Sequence, residues 1–265
     1  MSLLAWIILF TAIGGAASAI AASVFLLAPA SIRARALPHL VSFATGALLG
    51  AALLGLLPDA IQSVGLAGAH RIGLTLLAGV LIFFVLEKLL LWRHCHQEVC
   101  EGHVPHEDEH SHAKNRDAAS ASLVLIGDSF HNILDGVLIA AAFLTDIHLG
   151  IVTSIAVTAH EIPQEVGDFA ILLNGGMSRA RAFTLNVLTS LTSVIGGVAA
   201  YYFLSEARAL LPYALALAAS SFLYIAVADL IPGLHRRVDP GSGIRQILLI
   251  SLGVAVIYVS HSLAH

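Results

Sequence analysis

The chain has 265 residues, 58% of them hydrophobic and only 11% charged, with a mean hydropathy of +0.88, far more apolar than one soluble core requires. The net charge of -4 is spread over the chain without a long basic stripe, which excludes nucleic acid and leaves a lipid bilayer and ions as partners. Two cysteines, Cys95 and Cys100, are too few for a secreted disulfide framework.

Crossing a bilayer as a helix takes about 20 mostly apolar residues. Such stretches run over 3–28, 37–57, 72–92, 119–144, 147–174, 182–204, 211–230 and 244–260. They predict an all-α integral membrane protein of eight spans, a single membrane domain covering 1–265, with one polar loop at 94–117. The first span is read as retained, since a signal peptide opens on a basic region and the first basic residue is Arg33. Barrel strands are excluded because long charge-free runs such as 3–28 and 182–204 lack their alternation.

Basic residues in short loops favour the cytoplasmic side. Loops after odd-numbered spans hold Arg33, Arg35, Lys88, Arg93, Lys114, Arg116, Arg179, Arg181, Arg236, Arg237 and Arg245, whereas loops after even-numbered spans hold only Arg71 and Arg208. With eight spans, both termini are expected outside and the 94–117 loop in the cytoplasm.

Charged side chains near the bilayer centre cost about 2.5 to 3.5 kcal/mol each on insertion scales, so clusters need a partner or a wet path. The fourth span carries Asp128, His131, Asn132 and Asp135 within an arc of about 100°. The fifth carries His160, Glu161, Gln164, Glu165 and Asp168 within about 140°. Two polar stripes then face each other or a cavity. Imidazole, carboxylate and amide oxygen suit zinc and neighbouring divalent ions, and a bound cation relieves the repulsion among the acids. Pro163 removes a backbone donor inside the fifth stripe, a break tolerated where protein or water satisfies the freed carbonyl. Gly136 and Gly167 are expected to let helices approach closely. Interhelical hydrogen bonding alone would need one or two polar residues, not nine.

The pairing of His131-Asn132-x-x-Asp135-Gly136 with His160-Glu161-x-Pro163-x-Glu165-x-Gly167-Asp168-Phe169 resembles the signature spans of the ZIP (Zrt/Irt-like) metal transporters, most closely the LIV-1/KE4 branch. The resemblance implies a 3+2+3 arrangement with the fourth and fifth helices central, and a binuclear centre. Its ligands would be His131, Asn132 and Asp135 from one side and His160, Glu161 and Gln164 from the other, with Glu165 beside them. It further implies import toward the cytoplasm, and the short loops suggest a plasma (inner) membrane or a minimal organellar protein. Gln164 departs from the histidine common in that branch. Asp128 and Asp168, with Asp59, Asn186 and Asp229 as lesser candidates, are expected along the pathway.

Between His94 and His112 the loop carries six histidines, with the pairs His94/His96 and His110/His112 suited to loose metal binding. It lacks the paired spacing of a structural zinc module. Zn2+ is the expected transported ion, with Fe2+, Mn2+ and Cd2+ sharing its chemistry, and no organic cofactor is implied. Gly46, Gly50, Gly196 and Gly197 suit helix contacts within a chain or across a homodimer. The competing readings are an intramembrane zinc hydrolase, weakened because Gln164 stands where H-E-x-x-H needs histidine, and a proton-coupled carrier of a non-metal solute. A transporter rather than an enzyme is expected.

Overall fold

The computed structural model describes residues 1–95, 109–174, 176–235 and 240–262, and every regular element among them is helical. In chain order these are α1 (Leu3–Phe25), α2 (30–64), α3 (Ala69–Cys95), α4 (Glu109–Thr145), α5 (Ile147–Asn174), α6 (Arg179–Glu206), α7 (Arg208–His235) and α8 (Pro240–Ser262). Six stretches are long and apolar enough to cross a membrane, one of them, Ala30–Leu86, containing most of both α2 and α3. The long helix α5 is not among the six; it carries His160, Glu161, Gln164, Glu165 and Asp168. This is an all-α integral membrane protein.

Helices outrun the apolar spans. The second begins at Ala30 rather than 37, and the fourth at Glu109 rather than 119, so part of the expected polar loop is helical. A helix satisfies its own backbone, and its ends can continue beyond the apolar slab into polar surroundings, where Arg35 is exposed. His96 lies outside the described residues, as do the side chains of His94, His110 and His112.

Ser2 caps α1 and Ser178 caps α6, each accepting from a backbone N–H in the first turn. Asp146 alone separates α4 from α5, and its Oδ1 accepts from His148 N at 2.7 Å and Leu149 N at 3.1 Å. The chain folds back at this hinge, so residues equally far from Asp146 on the two helices lie at similar depth. Wide π-helical turns at Ala51–Leu56 and Ile225–Leu230 each end two residues before a proline, Pro58 and Pro232. A proline withholds the N–H that would close the preceding turn, which favours such widening. Pro163, by contrast, sits inside α5 without interrupting it.

α4 packs along α6, α1 along α5, α2 along α8 and α3 along α7. Between them lies one main apolar core, which includes Ile7, Leu48, Ile139, Phe143, Leu215 and Phe222. Gly136 abuts the backbone of Ser193, Gly196 that of Ile133, and Gly46 that of Ile250, so these close approaches are made within the chain. Gly167 differs from expectation: it is exposed, with nothing within 4 Å of where a Cβ would stand. Large apolar side chains such as Leu74, Leu77, Leu81, Ile244, Leu248 and Leu252 remain exposed on α3 and α8, as a lipid-facing surface requires.

Candidate metal centre

His131 lies 15 residues before Asp146 and His160 lies 14 after it, which puts both about 20 Å along their helices from the hinge. One ligand atom from each of His131, Asp135, His160 and Glu161 falls within 4.8 Å of all the others. His131 Nε2 is 3.2 Å from His160 Nε2, 3.3 Å from Glu161 Oε1 and 3.8 Å from Asp135 Oδ2. His160 Nε2 is 3.4 Å from both Glu161 Oε1 and Asp135 Oδ2. Asp135, His160 and Glu161 are almost fully buried, whereas the His131 side chain keeps 20% of its exposure, so approach to the cluster lies on its side.

Two neighbours orient His160. Its Nδ1 is 3.1 Å from the Ala156 carbonyl, which can only accept, so the proton sits on Nδ1 and the Nε2 lone pair faces the cluster. Phe222 of α7 meets the imidazole at a ring separation of 6.2 Å and an angle of 61°. Neither contact has a local sequence signal: Phe222 is 62 residues away, and the Ala156 carbonyl belongs to an unremarkable helical turn. The carboxylate oxygens of Asp135 and Glu161 have no hydrogen-bond partner, and the imidazole nitrogens lie beside them.

The remaining expected residues are distributed around this cluster. Asn132 is buried and donates from Nδ2 to Asp128 Oδ1 at 2.8 Å, while its Oδ1 has no partner. Glu165 is fully buried, and its Oε1 receives the Ser190 hydroxyl of α6 at 2.5 Å. Gln164 and Asp168 are half-buried on α5. Asn186 is fully buried in α6. Asp59 lies 3.9 Å from His261 at the far ends of α2 and α8, and Asp229 is exposed in the π-turn of α7. Neither of these two belongs to the four-residue cluster.

In a tetrahedral site with bonds of 2.0 to 2.2 Å, neighbouring ligand atoms stand about 3.3 to 3.6 Å apart. Five of the six separations in the cluster run from 3.2 to 3.8 Å. The donor set, two nitrogens and two carboxylate oxygens, is the one zinc and its first-row neighbours take. Glu161 stands among the candidate ligands rather than apart as a base, the role a hydrolase would need.

A family model described as ZIP zinc transporter matches residues 3–261. The chain is 32% identical over 232 residues to "Zinc transporter ZIP13" of Pongo abelii, covering 83% of this chain and 65% of that protein. It is 31% identical over 262 residues to the Homo sapiens protein of the same name, covering 83% and 69%. To "Zinc transporter YKE4" of Saccharomyces cerevisiae it is 30% identical over 237 residues, covering 83% and 67%. The chain thus spans about two thirds of these relatives' length. Such relatives correspond to the LIV-1/KE4 branch, a group of transporters rather than enzymes. The chain belongs to the ZIP zinc transporter family.

Proposed function

We propose that this protein carries divalent metal ions, zinc foremost, across a bilayer through a centre formed by His131, Asp135, His160 and Glu161 between α4 and α5. The observation that carries this reading is the near-tetrahedral spacing of four nitrogen and oxygen donors, three of them buried, from two adjacent helices. Family membership and the names of the relatives support zinc as the ion. Iron, manganese and cadmium ions share enough of its chemistry to compete. Gln164, one turn beyond His160, and Asn132, beside His131, supply neutral amide oxygens at the edge of the centre. Asp128, Glu165 and Asp168 line the continuation of the route. Mixed ligation of this kind strips water from the ion yet releases it, which transport demands.

The full reading is eight spans in one membrane domain, in a 3+2+3 arrangement with inverted outer triplets. Pairing supports it: if α1–α3 correspond to α6–α8, the α2·α8 and α7·α3 contacts exchange, as do α1·α5 and α6·α4. The π-turn followed by proline recurs in α2 and α7, the middle helix of each triplet. The positive-inside bias supports both termini outside and the 94–117 loop in the cytoplasm, family membership supports transport inward, and the short loops fit a plasma membrane.

The deciding experiment is uptake of radioactive zinc into proteoliposomes by wild type and by His131→Ala. Wild type accumulates the ion and the variant, inserted equally well, loses most of that flux. Equal flux in the two removes the centre from the pathway, and absence of flux in both removes transport.

A further inference from the structure

One helical turn farther from the Asp146 hinge than the histidines, the chemistry between the helices changes from nitrogen to oxygen. Asp128 lies 18 residues before the hinge and Glu165 lies 19 after it, so the two carboxylates share a depth about 5 Å beyond the histidine pair. Glu165 is 0% exposed; its Oε1 meets the Ser190 hydroxyl and its Oε2 has no partner. Asp128 is 5% exposed; its Oδ1 takes a hydrogen bond from Asn132, and its Oδ2 has none.

The third wall is α6. Ser190 reaches back at 2.6 Å to the carbonyl of Asn186 one turn earlier, so Asn186 and Ser190 share the helix face that meets Glu165. The Thr189 hydroxyl, 2.8 Å from the same carbonyl, lies against Asp128. Asn186 is 0% exposed, and neither its amide oxygen nor its amide nitrogen has a partner.

Buried polar groups are nearly always satisfied, and an amide with both ends unpaired points to an unstated ligand. A proton shared between the carboxylates would quiet their repulsion but leave the Asn186 oxygen unmet. A divalent cation with its own water meets both needs: carboxylate and amide oxygens bind the ion, and a bound water accepts from the amide N–H.

We propose that Asp128, Glu165 and Asn186, buttressed by Ser190, form a second, oxygen-only site for a partly hydrated divalent cation, one turn beyond the histidine centre. The site rests on the reading of α4 and α5 as a metal pathway, and makes this the next stop for an ion leaving the histidines away from the hinge. Lacking nitrogen, it discriminates against harder ions such as Mn2+ less than the histidine centre does.

Titration calorimetry of the purified full chain with Mn2+ and, separately, Zn2+ tests the assignment. Glu165→Gln and Asn186→Leu are expected to weaken Mn2+ binding at least about tenfold, whereas His160→Ala weakens Zn2+ binding and leaves Mn2+ within about twofold. Asn186→Asp, of equal size and richer in oxygen, retains or tightens Mn2+ binding, which separates loss of a ligand from loss of fold. Mn2+ affinity that follows His160→Ala and ignores both Glu165→Gln and Asn186→Leu overturns the second site while leaving the histidine centre standing. Asn186→Asp behaving like Asn186→Leu in folded protein overturns it as well.

Discussion

The Nε2 atoms of His131 and His160 stand 3.2 Å apart although 29 residues separate them in the chain. With the His160 proton held on Nδ1 by the Ala156 carbonyl, a lone pair is aimed at the neighbouring imidazole and at two carboxylates. Something positive has to occupy the space they enclose, and a divalent ion matches the donor types and their spacing.

Zinc should therefore stabilise the folded protein by mass action. At about 100 times the dissociation constant the gain is about 2.7 kcal/mol for one site. Thermal unfolding in detergent is expected to move upward with added zinc and back with chelator. In His131→Ala and His160→Ala the zinc-dependent part of the shift disappears while the metal-free midpoint changes little or rises. A full zinc shift in both variants would contradict the four-residue centre.

Two glycines in the signature segments predict opposite outcomes. A Cβ on Gly136 would collide with the Ser193 backbone, so Gly136→Ala has to push α4 from α6 and carry Asp135 with it. Gly167 has open space, and alanine there gains about 0.5 to 1 kcal/mol of helix stability. Melting temperature and zinc uptake should both fall for Gly136→Ala, while Gly167→Ala keeps uptake and melts no lower. Similar behaviour of the two would mean that the α4–α6 contact does not position the centre.

Orientation can be read from native residues, since Cys95 and Cys100 are the chain's two cysteines and both lie in the histidine-bearing loop. A membrane-impermeant maleimide should leave them unlabelled in intact cells and modify them after permeabilisation. Labelling in intact cells would invert the proposed topology.

The same loop offers a test of where conduction resides. Deleting 96–108, between the end of α3 and the start of α4, is expected to leave measurable zinc flux with altered concentration dependence, because the donors of the proposed centre lie in α4 and α5. Complete loss of flux from a membrane-inserted deletion would assign the loop an obligatory role.

Much of the architecture is legible residue by residue. Apolar runs of membrane length and the 100° periodicity of the two polar stripes are local properties, and the all-α membrane fold follows from them. Spans and helices still differ at their ends: Ala30 and Glu109 begin helices well before the apolar residues do, because hydropathy reports the lipid slab and not the hydrogen-bonded backbone. Even the pairing of His131 with the His160–Glu161 step is readable in hindsight, as the positions mirror one another about Asp146.

By itself the sequence determined which residue types share a helix face, and that those faces are too polar for lipid. Only the tertiary structure divided the stripes: His131, Asp135, His160 and Glu161 converge, whereas Glu165 turns to Ser190 and Asn132 to Asp128. That division depends on α6, which meets α4 through backbone contacts at Gly136 and Gly196 and α5 through the Ser190–Glu165 hydrogen bond. Periodicity orients a side chain around its own axis, but its partner is chosen by how closely separate helices can approach, and that is a property of the packed bundle.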